Sequence, residues 1–249
     1  MLMKHLFYLN TKDARYVVER LKERRKMRGF YFHEVGWEDV KKVNGKGILL
    51  WGHGNEHHVS YLFDLRKGNE KGVTKVNIDQ HSDMYIRWEG EELYQGNHFL
   101  FSVLYHDVEG RLLMPRYFVE DEMMWMDFYS VEFLDPKNVT EGIKNGKVHI
   151  TLDLDIVNKF PVLEEYVTMK HGWDDYYLLN VLERFVEEKV NVVRLDIGGL
   201  YAGGALDEGV RERFKYHYKR PAYTKKRYSE AVRLIERIVR MFGSVTCQE

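Results

Sequence analysis

Short apolar runs alternate with longer amphipathic ones along this chain, the signature of βα units around a mostly parallel sheet. Four runs read as strands: Gly47-Ile-Leu-Leu-Trp51, Lys75-Val-Asn-Ile-Asp79, Val148-His-Ile-Thr-Leu-Asp153 and Asn191-Val-Val-Arg-Leu-Asp-Ile197. Three stretches carry helical periodicity, Asp13–Met27, Asp174–Lys189 and Tyr223–Phe242. In the second, Leu178, Leu179, Leu182, Phe185 and Val186 form one apolar stripe behind an N-cap at Asp174. Ala231, Leu234, Ile235, Ile238, Val239 and Phe242 do the same in the third. Both stripes are core. From about Met84 to Val148 the pattern loosens into Met- and aromatic-rich stretches such as Met123-Met-Trp-Met126. That section reads as βα connections packed on the sheet. No repeat, low-complexity stretch or Pro/Gly/Ser linker interrupts the chain, so a single α/β domain over residues 1–249 is expected.

Composition narrows the classes. With 44% hydrophobic and 31% charged residues the chain is ordinary for a soluble domain. Its 38 basic and 39 acidic residues leave a net charge of −1, which gives no overall footprint for nucleic acid or an anionic membrane. The single cysteine, Cys247, excludes an intramolecular disulfide framework and a thiolate-rich zinc site. The opening Met1–Leu9 is too short and interrupted for a secretory signal, and no apolar run nears the ~20 residues that span a bilayer. A cytoplasmic protein without a membrane partner is expected.

The unusual residues sit where the apolar strands run out. One set is Asp79-Gln-His81-Ser-Asp83, a second is Asp153-Leu-Asp155, and a third is the turn Gly54-Asn-Glu-His57-His58. Residues two apart on an extended chain point the same way, and ligands of open α/β sheets bind at the carboxyl ends of strands. Each piece alone has a bland reading as solvated surface. Four converging carboxylates, however, cost several kcal/mol each in desolvation and repulsion if left unpaired. Two divalent cations would neutralise Asp79, Asp83, Asp153 and Asp155. Oxygen-rich ligands with two imidazoles suit Mn²⁺ better than a sulfur-loving ion, and such a pair acidifies a shared water.

These motifs resemble the arginase–agmatinase–deacetylase superfamily, the ureohydrolases, whose pattern runs G-G-D-H-S, D-A-H-x-D, S-x-D-x-D. The chain offers Gly54-Asn-Glu-His57-His58, Asp79-Gln-His81-Ser-Asp83 and Thr151-Leu-Asp153-Leu-Asp155 in the same order. It is most similar to an arginase-like branch with an E-H-H block, for which the resemblance supplies no substrate. What the resemblance implies is a three-layer αβα sandwich and a binuclear centre held by His57, Asp79, His81, Asp83, Asp153 and Asp155. It implies that Asp79 and Asp153 bridge both ions, with His57 and Asp83 completing one shell and His81 and Asp155 the other. It also makes His98, downstream of Asp83, the candidate general acid. The implied activity is hydrolysis of an amide or amidine-like C–N bond of a small molecule. Two departures matter. Glu56 and His58 replace the family's Asp and Ser, and Gly199 stands where ureohydrolases carry a glutamate that holds a guanidinium.

Other signals are weaker. Gly52-His-Gly54 lacks the third glycine of a dinucleotide loop, because His57 stands there. Gly198-Gly199 and Gly203-Gly204 suit a tight loop over a site mouth or a plain turn. The run Arg211–Tyr228 carries eight Lys/Arg with interleaved aromatics. A solvated face fits it better than nucleic-acid binding, although a non-catalytic metal- or nucleic-acid-binding protein remains the alternative class. The same centre would also serve phosphoester hydrolysis. Oligomeric state is left open, a homo-oligomer included.

Overall fold

Strands of a parallel sheet covered on both faces bury every side chain, so their sequence must be apolar or internally paired throughout. In the computed structural model, which describes residues 4–43, 47–53, 56–64, 72–85, 92–93, 96–106, 108–113, 120–141, 143, 146–157, 172–200 and 225–243, that demand is met by the central members of a set of eight strands. The eight are β1 (Lys4–Leu9), β2 (Phe30–Val35), β3 (Gly47–His53), β4 (Val73–Ile78), β5 (Glu109–Leu113), β6 (Glu132–Phe133), β7 (Lys147–Asp153) and β8 (Val192–Gly199). They form one sheet in the order β2-β1-β3-β8-β7-β4-β5-β6, with every neighbouring pair parallel. The expected α/β class with a mostly parallel sheet is what the chain adopts.

The helices are α1 (Lys12–Lys22), α2 (Trp37–Val40), α3 (Val59–Asp64), α4 (His98–His106), α5 (Glu120–Phe128), α6 (Asp175–Glu187) and α7 (Lys225–Phe242). Asp174 caps α6 as expected, its carboxylate accepting the Tyr177 N–H at 2.7 Å. The first helix is shorter than its periodicity suggested. After the C-cap at Glu23 the backbone turns extended at Arg24, and a separate 3-10 turn follows at Arg25–Met27. Four strands arose where none was expected. β1 and β2 lie in aromatic-rich segments without clear alternation, and β5 and β6 fall in the section read only as connections. That section therefore extends the sheet. Gly203, Gly204, residues 211–224 of the basic run and Cys247 lie outside the described residues. No helix among the described residues is long and apolar enough to cross a membrane.

The register sorts the sheet into two unlike faces. On one, Val76, Ile150 and Leu195 stand side by side across β4, β7 and β8, and Ile78, Leu152 and Ile197 form the next row. Ile48 and Leu50 of β3 continue those rows, and Leu6 and Tyr8 of β1 pair with them. These residues share one core cluster with Val17 and Leu21 of α1, Leu182 and Phe185 of α6, and Leu234 and Ile238 of α7. Each fully buried Leu, Ile or Phe contributes roughly 1.5–3 kcal/mol, so this face holds the sheet to its helices.

The alternate positions are polar. Lys75, His149 and Arg194 form one row, and Asn77, Thr151 and Asp196 the next, all fully buried. Lys75 Nζ donates to Ser102 Oγ on α4 at 2.7 Å and to the Ser60 carbonyl on α3 at 3.4 Å. Asp196 accepts from Arg194 Nε at 2.6 Å and contacts His149 Nε2 at 2.9 Å. One further step toward the carboxyl ends brings Asp153 opposite Gly198. The polar face leads straight to the strand ends that carry the candidate ligands.

Candidate metal centre

Asp79 leaves β4 with its N–H bonded to the Leu113 carbonyl at 3.3 Å, so its position is fixed by the sheet. The chain then bends at residues 79–81 instead of staying extended. Asp83 takes a left-handed conformation, φ 53°, which Asp tolerates better than most residues. It is this bend, not strand alternation, that turns both Asp79 and Asp83 inward. Asp155 also arrives differently from expectation. β7 ends at Asp153, whose Oδ1 accepts the Asp155 N–H at 2.9 Å and caps a 3-10 turn, Leu154–Ile156. His57 lies in the turn before α3.

These elements bring all six expected ligands together. His57 Nδ1 lies 3.1 Å from Asp79 Oδ2, 3.1 Å from Asp83 Oδ2 and 3.6 Å from Asp153 Oδ2. His81 Nδ1 lies 3.2 Å from Asp79 Oδ1 and 3.0 Å from Asp155 Oδ2. Three overlapping groups have ligand atoms within 4.8 Å of one another: His57–Asp83–His98, His57–Asp79–Asp153 and Asp79–His81–Asp155. Asp79 is common to the last two, whereas Asp153 belongs to one. The cluster is dry on the His57 side, 2% exposed, and opens at His81, whose side chain is 50% exposed.

Crowding of like charge sets the electrostatics. Burial, then the Asp155 and Asp79 carboxylates, push Asp153 well above the usual range. Burial and Asp79 raise Asp83 to about 7. Burial alone would favour a neutral His57 ring, but its hydrogen bonds to Asp79 and Asp83 override this and raise it to about 10. Burial would also raise Asp79, yet His57 and His81 hold it well below the usual range. Protons on the imidazole nitrogens that face these carboxylates would offset part of that crowding. Divalent cations fit this donor set, because they would displace those protons and neutralise the carboxylates at once.

His98 is fully buried at the start of α4. Its Nε2 sits 2.7 Å from Asp83 Oδ2, and its Nδ1 lies 3.1 Å from Ser60 Oγ. Of the departures from the family pattern, Glu56 and His58 belong to none of the three ligand groups. Glu56 turns toward Thr11 and His53, and its Oε2 occupies the space a Cβ at Gly52 would fill. Burial and the neighbouring Asp13 raise Glu56 to about 8. His58 stacks on Trp37 with ring centroids 5.1 Å apart. Gly199 has φ +89°, and a Cβ there would lie 1.9 Å from Asp153 Oδ1. The end of β8 therefore has no room for a side chain beside Asp153.

Several supporting groups escaped the sequence reading. Thr151 Oγ1 meets His57 Nε2 at 2.6 Å, Asn77 Nδ2 reaches Asp83 Oδ2 at 3.4 Å, and the Gln80 N–H donates to Asp155 Oδ1 at 3.3 Å. A signal existed for the first two. The alternation Lys75-x-Asn77-x-Asp79 and His149-x-Thr151-x-Asp153 runs back from the ligands into the strands. Its polar partners come from other strands and helices, so spacing alone does not reveal them.

No family model matches the chain, and no curated protein matches it by sequence. Solved structures do. An arginase from Bacillus subtilis superposes with TM-score 0.70 at 13% identity, covering 95% of this chain and 98% of that one. The proclavaminate amidino hydrolase from Streptomyces clavuligerus gives 0.67 at 10% identity, covering 100% and 93%. The formimidoylglutamase from Bacillus subtilis subsp. subtilis str. 168 gives 0.64 at 10%, covering 98% and 88%. At these identities the likeness speaks for architecture. The chain has the ureohydrolase fold.

Proposed function

We propose that this protein is a metal-dependent hydrolase that cleaves an amide or amidine-like C–N bond in a small molecule. The observation that carries this reading is the convergence of His57, Asp79, His81, Asp83, Asp153 and Asp155 at the carboxyl ends of β3, β4 and β7. A fold shared with an amidino hydrolase supports the bond class. In this proposal His57, Asp79, Asp83 and Asp153 would hold one cation and Asp79, His81 and Asp155 the other, Asp153 joining the second as the family resemblance implies, with Mn²⁺ the expected metal. Two such cations would supply charge polarisation and a water acidified to near neutrality.

The chain's own residues shape the rest. Thr151 and Asn77 orient His57 and Asp83, and orienting partners of this kind set ligand geometry. His98 has Nδ1 on the Ser60 hydroxyl and Nε2 on Asp83 Oδ2 at 2.7 Å, so the proton it is proposed to pass to the leaving nitrogen from Nε2 would be one shared with that carboxylate. His81 marks the open side, where substrate would enter. A guanidinium anchor from β8 is sterically excluded at Gly199, which favours amides and amidines over guanidines.

The test is a substrate panel of amides, amidines, guanidines and phosphoesters with Mn²⁺-loaded protein. Ammonia or amine release from the first two is expected, and turnover of phosphoesters alone would refute the bond class. His98→Asn should lower kcat by about 10²–10⁴-fold with metal content unchanged. Lost metal in that variant would instead make His98 a positioning residue for Asp83.

A further inference from the structure

Trp51 is the largest fully buried side chain among the described residues, and it lies face to face with His57, ring centroids 4.5 Å apart and planes within 14°. Its indole N–H has no hydrogen-bond partner among the described residues. The neighbouring strand makes room for Trp51. A Cβ on Gly198 would come within 2.0 Å of the indole ring. Gly198 therefore admits Trp51 from the β3 side, as Gly199 admits Asp153 from the β7 side.

We propose that Trp51 is a positioning residue for the metal ligand His57, seated by Gly198. This rests on the metal-centre reading above. The indole covers one face of the imidazole, and Thr151 holds Nε2 at 2.6 Å. His98 closes in from 4.1 Å at 49°. These three contacts hold the ring with Nδ1 facing Asp79, Asp83 and Asp153. An indole offers the most electron-rich aromatic face available to a protein. That face attracts an electron-poor imidazole, whether the ring carries a proton or a cation, so the stack holds the ring in the orientation that metal binding needs.

The experiment compares Mn²⁺ affinity by calorimetry, and tryptophan emission during Co²⁺ titration, in wild type, Trp51→Phe, Trp51→Leu and Gly198→Ala. Trp51→Leu is expected to weaken Mn²⁺ binding by about 10–100-fold, the range seen when support around a ligand is lost. Trp51→Phe keeps an aromatic stack and should lose less. Gly198→Ala should resemble Trp51→Leu while retaining the tryptophan. Wild-type emission should be quenched in step with Co²⁺ uptake, and most of that quenching should vanish in Trp51→Phe. Unchanged affinity in Trp51→Leu, or the same quenching in Trp51→Phe, overturns the proposal while leaving the metal centre standing. No metal uptake by the wild type overturns both.

Discussion

Replacing Asp196 with alanine is expected to cost about 3–5 kcal/mol of folding stability, the penalty for removing one partner from a buried ionic network. Asp196 and Arg194 are both fully buried, 2.6 Å apart, and His149 contacts the same carboxylate. Burial would raise this carboxyl's pKa, but Arg194 and then His149 outweigh it and hold it below the ordinary value. A carboxylate with a depressed folded-state pKa contributes stability above its unfolded pKa, and that contribution is lost as pH falls through the folded one. The wild type should therefore lose this share of stability in acid, and Asp196→Ala should lose it at all pH values. The comparison is Arg15→Ala, which breaks a bidentate but exposed pair with Glu34. Exposed pairs contribute little to stability, because water and salt screen them. Urea midpoints at constant slope decide it. An Asp196→Ala shift no larger than that of Arg15→Ala would show that the polar face is not a coupled network.

The second large effect is expected at Gly199. Alanine there must take φ +89° and place its Cβ 1.9 Å from Asp153 Oδ1 and 2.8 Å from the Leu154 N–H. The backbone conformation alone costs roughly 1–2 kcal/mol. The collision additionally moves the Asp153 carboxylate, which should weaken metal binding by about 10–100-fold. Gly72 separates the two contributions. It has φ +68°, and a Cβ added there would meet nothing within 4 Å, so Gly72→Ala should be destabilised yet bind metal as the wild type does. Equal metal affinity in both variants would mean that β8 does not set the position of Asp153.

Much of the site could be read from residue types, because four carboxylates and two imidazoles just beyond apolar strands have few stable explanations. The route by which they converge could not. Period-two spacing suggested extended strands at Asp79–Asp83 and Asp153–Asp155, but a left-handed Asp83 and a capped 3-10 turn bring the ligands together. Both depend on tertiary hydrogen bonds, such as Leu100 N–H to the Asp83 carbonyl at 3.2 Å. The same limit hid the polar rows of the sheet. Lys75, His149 and Arg194 are distant in sequence, and only strand order makes them neighbours. β1 and β2 were missed for a related reason. Their half-buried aromatic residues show neither clean alternation nor a continuous apolar run. Local pattern finds the central strands best, because burial on both sides, or one apolar face against one file of ligands, leaves the strongest mark.

Metal content per chain tests the central claim most directly. Elemental analysis after Mn²⁺ loading and desalting should find about two ions per wild-type chain, as expected for a paired-ion centre. Asp153→Ala should retain far less. Near-zero metal in the wild type would contradict the account, because the buried carboxylates would then be held by protons and imidazoles alone.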